Sequence, residues 1–334
     1  MPAASAMTAV DDSLVGAIAD FMAGFSLEAT RPCPEEVAAL AGIVPAGTNI
    51  YVSAVPKKPM QEAIEAAVRL REAGFEPVPH LAARGFATAR ALDDFLARMS
   101  GEAGVVRLLV IGGDHDEPAG DFRSAIEVID GGALQRHGIS EIAIAGYPNG
   151  HPRLLQQDLD RALAHKIRAA ESTGLAVHIV SQFCFDAQAI LQWIARLRDF
   201  GLEHPVRIGL AGPTSLATLL RYAKRCGVRA SAQSLARQAG LARQLFAMSA
   251  PDALVRALAQ ARADRHLGEI APHFFSFGGL ARTARWAEAV AHRHIVFEAD
   301  EGFRVEPPAA QGPSSARPRE SKDTVPPGFP LARE

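Results

Sequence analysis

The chain has 334 residues, enough for one large barrel or two ordinary domains, and 48% apolar content with a mean hydropathy of +0.05 allows a sizeable core. Thirty-five basic against 37 acidic side chains leave a formal net charge of −2, which offers no general attraction for polyanions and argues against nucleic acid as a partner. The three cysteines, Cys33, Cys184 and Cys226, are odd in number and widely spaced, which excludes a disulfide framework and suits a reducing compartment.

Residues 1–23 carry Asp11, Asp12 and Asp20 among apolar positions and lack a basic leader, so they do not read as a secretory signal. Asp12, Ser13, Leu14, Val15, Ile18 and Phe21 predict a capped amphipathic helix instead. No run of 18 apolar residues occurs, so no membrane span is expected, and a cytoplasmic location follows.

Beyond this helix, short β-rich runs alternate with longer helical ones. Strands are predicted at 24–30, 48–55, 75–81, 105–113, 140–146, 176–183, 206–211 and 272–277, with helices at 59–73, 88–99, 154–172, 187–200 and 215–226. Eight parallel strands with helical crossovers are the arithmetic of an α/β fold of the (β/α)8 TIM-barrel type. Residues 230–266 read as extra helix before the eighth strand, and 294–305 as a short strand or hairpin. The barrel domain is thus expected over 1–305. Seven of the 22 prolines fall in 307–334 among Ser, Arg and Glu, so residues 306–334 read as a disordered or surface-draped tail.

An open doubly wound sheet would show the same alternation. The residues ending the strands separate the two: Glu28, Ser53, His80, Asp114, Tyr147 and Gln182 recur 25 to 35 residues apart. In a barrel these ends converge on one mouth, where active sites of the fold lie.

The chain contains no G-x-G-x-x-G after a strand, no P-loop and no H-E-x-x-H. His115 and Asp116 have no further His or Cys at ligand spacing, so a solvated loop is the better reading than a metal site. Cys184, between Phe183 and Phe185, reads as packed rather than reactive, and Asp186 as the N-cap of the following helix. Glu28, after Phe25-Ser26-Leu27 on a strand buried on both faces, is costly without a partner or a task. Asp114 follows Val110-Ile111-Gly112-Gly113 in the same position on another strand, and ordinary strand-end caps remain the bland alternative for both. Two X-Pro steps and a glycine in Ala145-Gly146-Tyr147-Pro148-Asn149-Gly150-His151-Pro152 form a stiff turn holding Tyr147 near His151. Gln182 ends a buried strand with an amide able to donate and accept toward a heterocycle edge.

At these residues the chain resembles the methylenetetrahydrofolate reductase family, over nearly all of 24–290 and in order. Phe25-Ser26-Leu27-Glu28 is similar to the family's opening strand, and Val78-Pro79-His80-Leu81 to its "PHL" strand. Val110-Ile111-Gly112-Gly113-Asp114 resembles its "LRGD" strand, 145–152 its "AxYPxxHP" turn, and Leu163-Ala164-His165-Lys166 its "LxxK" helix. Ser181-Gln182-Phe183-Cys184-Phe185-Asp186 is similar to its "TQxxFD" segment, and Pro272-His273-Phe274-Phe275 to its eighth strand. The resemblance implies Glu28 as proton donor, with burial keeping it protonated near neutral pH, and Asp114 beside flavin and substrate. It further implies FAD contacts from His80, Ala145, Tyr147, His151, Asp158 and Lys166 and a substrate contact from Gln182; Leu216 stands where the family has an aromatic that stacks on substrate or nicotinamide, and Gly278-Gly279 replaces a polar pair after strand eight, where Arg282 could reach the substrate. The implied reaction interconverts 5,10-methylenetetrahydrofolate and 5-methyltetrahydrofolate with NADH or NADPH. Neither a nucleic-acid nor a membrane partner is expected, and a homo-oligomer is left open. Gly112 replaces the family's arginine, Val55 stands where a threonine is common, and Ala29-Thr30-Arg31-Pro32 replaces an aromatic-proline run. These departures leave two alternatives: a flavin-independent reductase, or a folate-dependent TIM-barrel methyltransferase. A non-catalytic folate or flavin binder is a third.

Overall fold

A computed structural model of the chain describes residues 3–306 apart from 57, 116, 153, 227, 229–247, 263–264 and 299–301. Eight strands, β1 (Ser26–Ala29), β2 (Asn49–Val52), β3 (Glu76–Ala82), β4 (Arg107–Ile111), β5 (Glu141–Gly146), β6 (Ala176–Ser181), β7 (Val206–Ala211) and β10 (Ile270–Phe275), close into a barrel. All neighbours are parallel, and closure comes from β10 pairing on β1, with Ser26, Leu27 and Glu28 opposite His273, Phe274 and Phe275. The eight predicted strands are these eight, so the TIM barrel is the fold.

Alternation along the strands sorts the core into two layers. Leu27, Ile50, Val110, Ile144, Leu210 and Phe274 belong to the large cluster shared with the surrounding helices. Residues of the other parity, Tyr51, Val78, Leu109, Ile111, Ala143 and Val180, form a separate cluster inside the barrel. Position 28 has the inner parity, which is why its carboxyl is enclosed by other strands rather than by helices.

The N-terminal helix α1 (Ala3–Met22) begins well before Asp12, so Asp12 lies within it rather than at its cap. The alanine-rich residues upstream have high helix propensity and extend it. A first crossover helix, α2 (Pro34–Ala41), was not read from the sequence; Pro34 opens it, and Glu36 accepts a hydrogen bond from the Cys33 N–H at 3.0 Å. The crossovers α3 (Met60–Glu72), α4 (Ala89–Ala103), α7 (Gln156–Ser172), α8 (Ala187–Asp199) and α9 (Leu216–Arg225) match the predicted helices within a few residues, and short helices α5 (Ala125–Asp130) and α6 (Ala133–Arg136) lie between β4 and β5. Asp186 caps α8 by accepting from the Gln188 and Ala189 amides, as expected. Burial pushes the Cys184 thiol up to about 11, in keeping with a packed, unreactive side chain.

Before the eighth strand, α10 (Asp252–Ala261) packs on α1 and α8. The antiparallel pair β8 (Thr214–Ser215) and β9 (Met248–Ser249) flanks that insertion, much of which lies outside the described residues. After α11 (Leu280–Ala291), the predicted hairpin is β11 (Ile295–Phe297) with β12 (Phe303–Val305), where Phe303 stacks on Trp286. Residues 307–334, and the expectation of a draped or disordered tail, lie outside the described residues. Among the described residues no helix is long and apolar enough to cross a membrane.

Candidate active site

Two cavities open at the ends of the barrel strands. The smaller, about 40 Å³, is lined by Glu28, His80, Ala145, Tyr147, Gln182 and Phe275, among others. The larger, about 220 Å³, includes Asp114 and His115 in its lining and also touches His80, so the imidazole is common to both. Five sequence-predicted residues therefore meet in one cavity and Asp114 adjoins it. Gly113 makes the turn into Asp114 at φ +97°, where an added Cβ would come within 3.0 Å of the Ala82 Cβ.

Glu28 is 1% exposed, and its partners come from β3, β10 and the residue just past β2. Ser53 Oγ, just past β2, donates to Oε1 at 2.8 Å. Oε2 lies 3.2 Å from His273 Nε2 and 3.5 Å from His80 Nε2. His273 Nδ1 is 2.9 Å from Ser26 Oγ, which in turn lies 3.4 Å from Arg207 Nη1. One tautomer satisfies this chain: Arg207 donates to Ser26, Ser26 to Nδ1, and the Nε2–H to Glu28.

The expectation that Glu28 stays protonated is corrected here. Burial does push the carboxyl up, but the charge of His80 and hydrogen bonds from His273 and His80 outweigh it and hold the group at about 2. Burial in turn pushes the His273 imidazole down. A carboxyl between two imidazoles is a site where a proton is shared, not an isolated buried acid.

A second polar chain fills the barrel below. Tyr51 hydroxyl lies 2.7 Å from His178 Nε2, His178 Nδ1 lies 2.7 Å from Glu141 Oε1, and Arg107 Nε donates to Glu141 Oε2 at 2.6 Å. Burial pushes Glu141 up, yet His178 and Arg107 overcome it and hold the carboxyl at about 2. Burial pushes His178 down. The Tyr51 ring sits edge-on to His273 at 4.6 Å between centroids, so the two chains touch.

Of the remaining predicted residues, Tyr147 and His151 meet edge to face at 5.5 Å, the pairing expected of the stiff turn. Gln182 Oε1 accepts from the Phe183 N–H at 3.0 Å, which fixes the amide at the cavity wall. Asp158, Lys166, Leu216 and Arg282 line neither cavity. Asp158 is exposed in the first turn of α7, 3.6 Å from Arg161, and Lys166 is buried further along the same helix. Leu216 opens α9, and Arg282 is exposed on α11 against Met248 Sδ at 3.5 Å. Ser53 was read from sequence as a strand end at the mouth, whereas Ser26, Tyr51 and His273 were given no site role; Ser26 and Tyr51 share the inner parity with Glu28, His273 pairs with Ser26 in the eighth strand, and that was the available signal.

The mouth suits a flat heterocycle. His80 is 8% exposed, and its Nδ1 has no hydrogen-bond partner among the described residues. Ala145 and Tyr147 line the cavity beside it, and an imidazole nitrogen next to an aliphatic and an aromatic wall fits the polar edge of a ring such as a flavin's.

The family model of methylenetetrahydrofolate reductase matches residues 35–244. The chain belongs to the methylenetetrahydrofolate reductase family. A segment of 83 residues is 29% identical to methylenetetrahydrofolate reductase 2 of Saccharomyces cerevisiae, covering 25% of this chain and 14% of the yeast protein. A Clostridium thermocellum protein that binds two copies of 5-methyl-5,6,7,8-tetrahydrofolic acid superposes with a TM-score of 0.53 at 12% identity, over 80% of this chain and 92% of that one. Dihydropteroate synthase of Thermus thermophilus gives 0.43 at 15% identity, over 80% and 92%. At these identities the first solved structure bears on the fold alone.

Proposed function

We propose that this member of the methylenetetrahydrofolate reductase family interconverts 5,10-methylenetetrahydrofolate and 5-methyltetrahydrofolate with NADH or NADPH. The observation that carries the reading is the Glu28 carboxyl, flanked by His80, His273 and Ser53, in one cavity with Tyr147 and Gln182. In the reductive direction the C–N10 bond of the imidazolidine ring opens, N10 takes a proton, and a hydride converts the one-carbon unit to a methyl group. One hydride from the nicotinamide and one proton balance the reaction.

Glu28 lines the cavity and is the proposed donor of that proton, which is supplied by solvent and passed on at a carboxyl whose Oε2 lies within 3.5 Å of the His80 and His273 imidazoles. Gln182 reads the pterin edge, and Leu216 and Arg282 are the proposed contacts for the rest of the folate. FAD supplies, when bound, a two-electron carrier between nicotinamide and folate. His80, Ala145, Tyr147, His151, Asp158 and Lys166 would hold it, with Asp114 beside its ring.

A second reading, direct hydride transfer from nicotinamide to folate, is favoured by two observations. Gly112 leaves no cation at the end of β4, and Asp158 is exposed and turned to Arg161. Both readings are tested by following nicotinamide oxidation with methylenetetrahydrofolate in flavin-stripped protein, with and without added FAD. Turnover that requires FAD supports the flavin route, and full turnover without it supports direct transfer. Folate demethylation with no hydride donor would refute both in favour of a methyltransferase.

A further inference from the structure

Position 207 carries a charge where a barrel interior ordinarily carries branched apolar side chains. On β7, Val206, Ile208 and Leu210 belong to the cluster shared with the helices, so Arg207 has the inner parity, at the N-terminal end of the strand and away from the mouth. Its Nη1 donates to the Gly24 carbonyl at 3.1 Å and to Ser26 Oγ at 3.4 Å, and no carboxylate pairs with it among the described residues. It lines neither cavity. A half-buried guanidinium without a counter-charge loses solvation that no ion pair offsets, which is a poor arrangement for stability alone.

What Arg207 does touch is the hydroxyl that leads to Glu28. Ser26 is fully buried; its Oγ lies 2.9 Å from His273 Nδ1, and His273 Nε2 lies 3.2 Å from Glu28 Oε2. A hydroxyl has a single hydrogen. With Arg207 donating to Oγ, that hydrogen is directed to Nδ1, and the imidazole carries its own on Nε2. The other tautomer would aim both Nδ1–H and the guanidinium at one oxygen and leave a buried O–H without its acceptor. It would also turn a bare Nε2 toward Glu28, where it would accept the carboxyl's proton instead of leaving it for the folate.

We propose that Arg207 is a positioning residue for Glu28: through Ser26 it holds His273 as a neutral imidazole with Nε2–H aimed at the carboxylate, so that a proton arriving at Glu28 leaves toward N10 and not into the barrel. The inference rests on the reductase reading for the reaction it serves. The groups facing His273 are Ser26 and Glu28 on β1, Tyr51 on β2, His80 on β3 and Arg207 on β7. Burial is the largest influence and pushes the imidazole down; Glu28 pulls it up, and the charges of Arg207 and His80 push it down again. Of those two cations, only the guanidinium is a permanent charge.

The tautomer and charge of a histidine are read from its two ring nitrogens in long-range proton–nitrogen correlation spectra of the full-length, histidine-labelled protein, with His273→Gln to assign the signal. The wild type should show the neutral Nε2–H form at neutral pH. Arg207→Met should either show the Nδ1–H form or let His273 titrate at a higher pH than in the wild type, and Arg207→Lys should restore the wild-type spectrum. In Arg207→Met, kcat with methylenetetrahydrofolate should fall by about tenfold to a hundredfold at unchanged KM, the range for removing a partner behind a functional side chain. A wild-type His273 spectrum in folded Arg207→Met overturns the proposal, whatever the activity. If that variant does not fold, Ser26→Ala carries the same test, and an unchanged Nε2–H form there would show that Glu28 alone fixes the ring. The spectra need no turnover. A protein without reductase activity whose His273 still answers to Arg207 would therefore refute the proposed reaction and leave the positioning standing.

Discussion

Replacing Glu28 by Gln separates the two consequences of its surroundings. The side chain is 1% exposed, and the amide preserves its size and its acceptor toward Ser53 Oγ at 2.8 Å. What it removes is a carboxylate held at about 2 against an ordinary 4.5. A depressed acid contributes stability above its unfolded value and loses it as pH falls toward its folded one. At about 1.4 kcal/mol per decade, that contribution is about 3 kcal/mol above pH 4.5, declining between pH 4.5 and 2. Urea unfolding followed by Trp193 and Trp286 fluorescence, at a series of pH values from 7 to 3, should show the wild type losing stability with acid more steeply than Glu28→Gln. Folate turnover of the variant should fall by about 10²–10⁴, the usual contribution of a positioned acid, while nicotinamide oxidation by an artificial acceptor persists. Parallel pH–stability curves would refute the imidazole-held carboxylate. Unchanged folate turnover would refute its role in proton delivery.

Gln182→Leu should raise the KM for methylenetetrahydrofolate by about tenfold or more without changing nicotinamide affinity, because a neutral pterin edge loses its partner while a polar group is left buried; equal effects on both substrates would contradict the assignment. Gly209→Ala would bring a Cβ within 2.3 Å of the Ser181 carbonyl oxygen and 2.8 Å of the Gln182 carbonyl carbon, both backbone, so about 1–3 kcal/mol of stability should be lost together with folate affinity. A melting temperature equal to wild type would show that β6 and β7 separate freely there. Tyr51→Phe strands His178 Nε2 in the barrel interior and should cost about 1–3 kcal/mol in urea unfolding at neutral pH; a cost below about 0.5 kcal/mol would mean the imidazole finds another partner.

The barrel was legible because its strands are separated by amphipathic helices at regular intervals, and because polar residues recur where strands end. Glu28, His80, Tyr147 and Gln182 could be brought to one mouth by counting alone. Helix α2 escaped because its eight residues lie between Cys33 and Gly42, too short for a periodic pattern to stand out. The protonation of Glu28 was misjudged for a different reason. Burial can be inferred from neighbours in sequence, but the two imidazoles that reverse its effect lie 52 and 245 residues away and meet the carboxyl only when β3 and β10 close around β1. His273 had been recognised as part of the eighth strand; its distance from Glu28 is a property of barrel closure and register.

Arg31 illustrates the same limit on the cationic side. Counted along β4, the mouth has lost a cation, since Gly112 carries no side chain where the family has arginine. Counted in space, a guanidinium lines the adjoining cavity from the loop after β1, with Glu62 as its present partner. A barrel mouth is a ring of eight strand ends, so a charge removed from one end can be supplied from another without any resemblance between the two sequences.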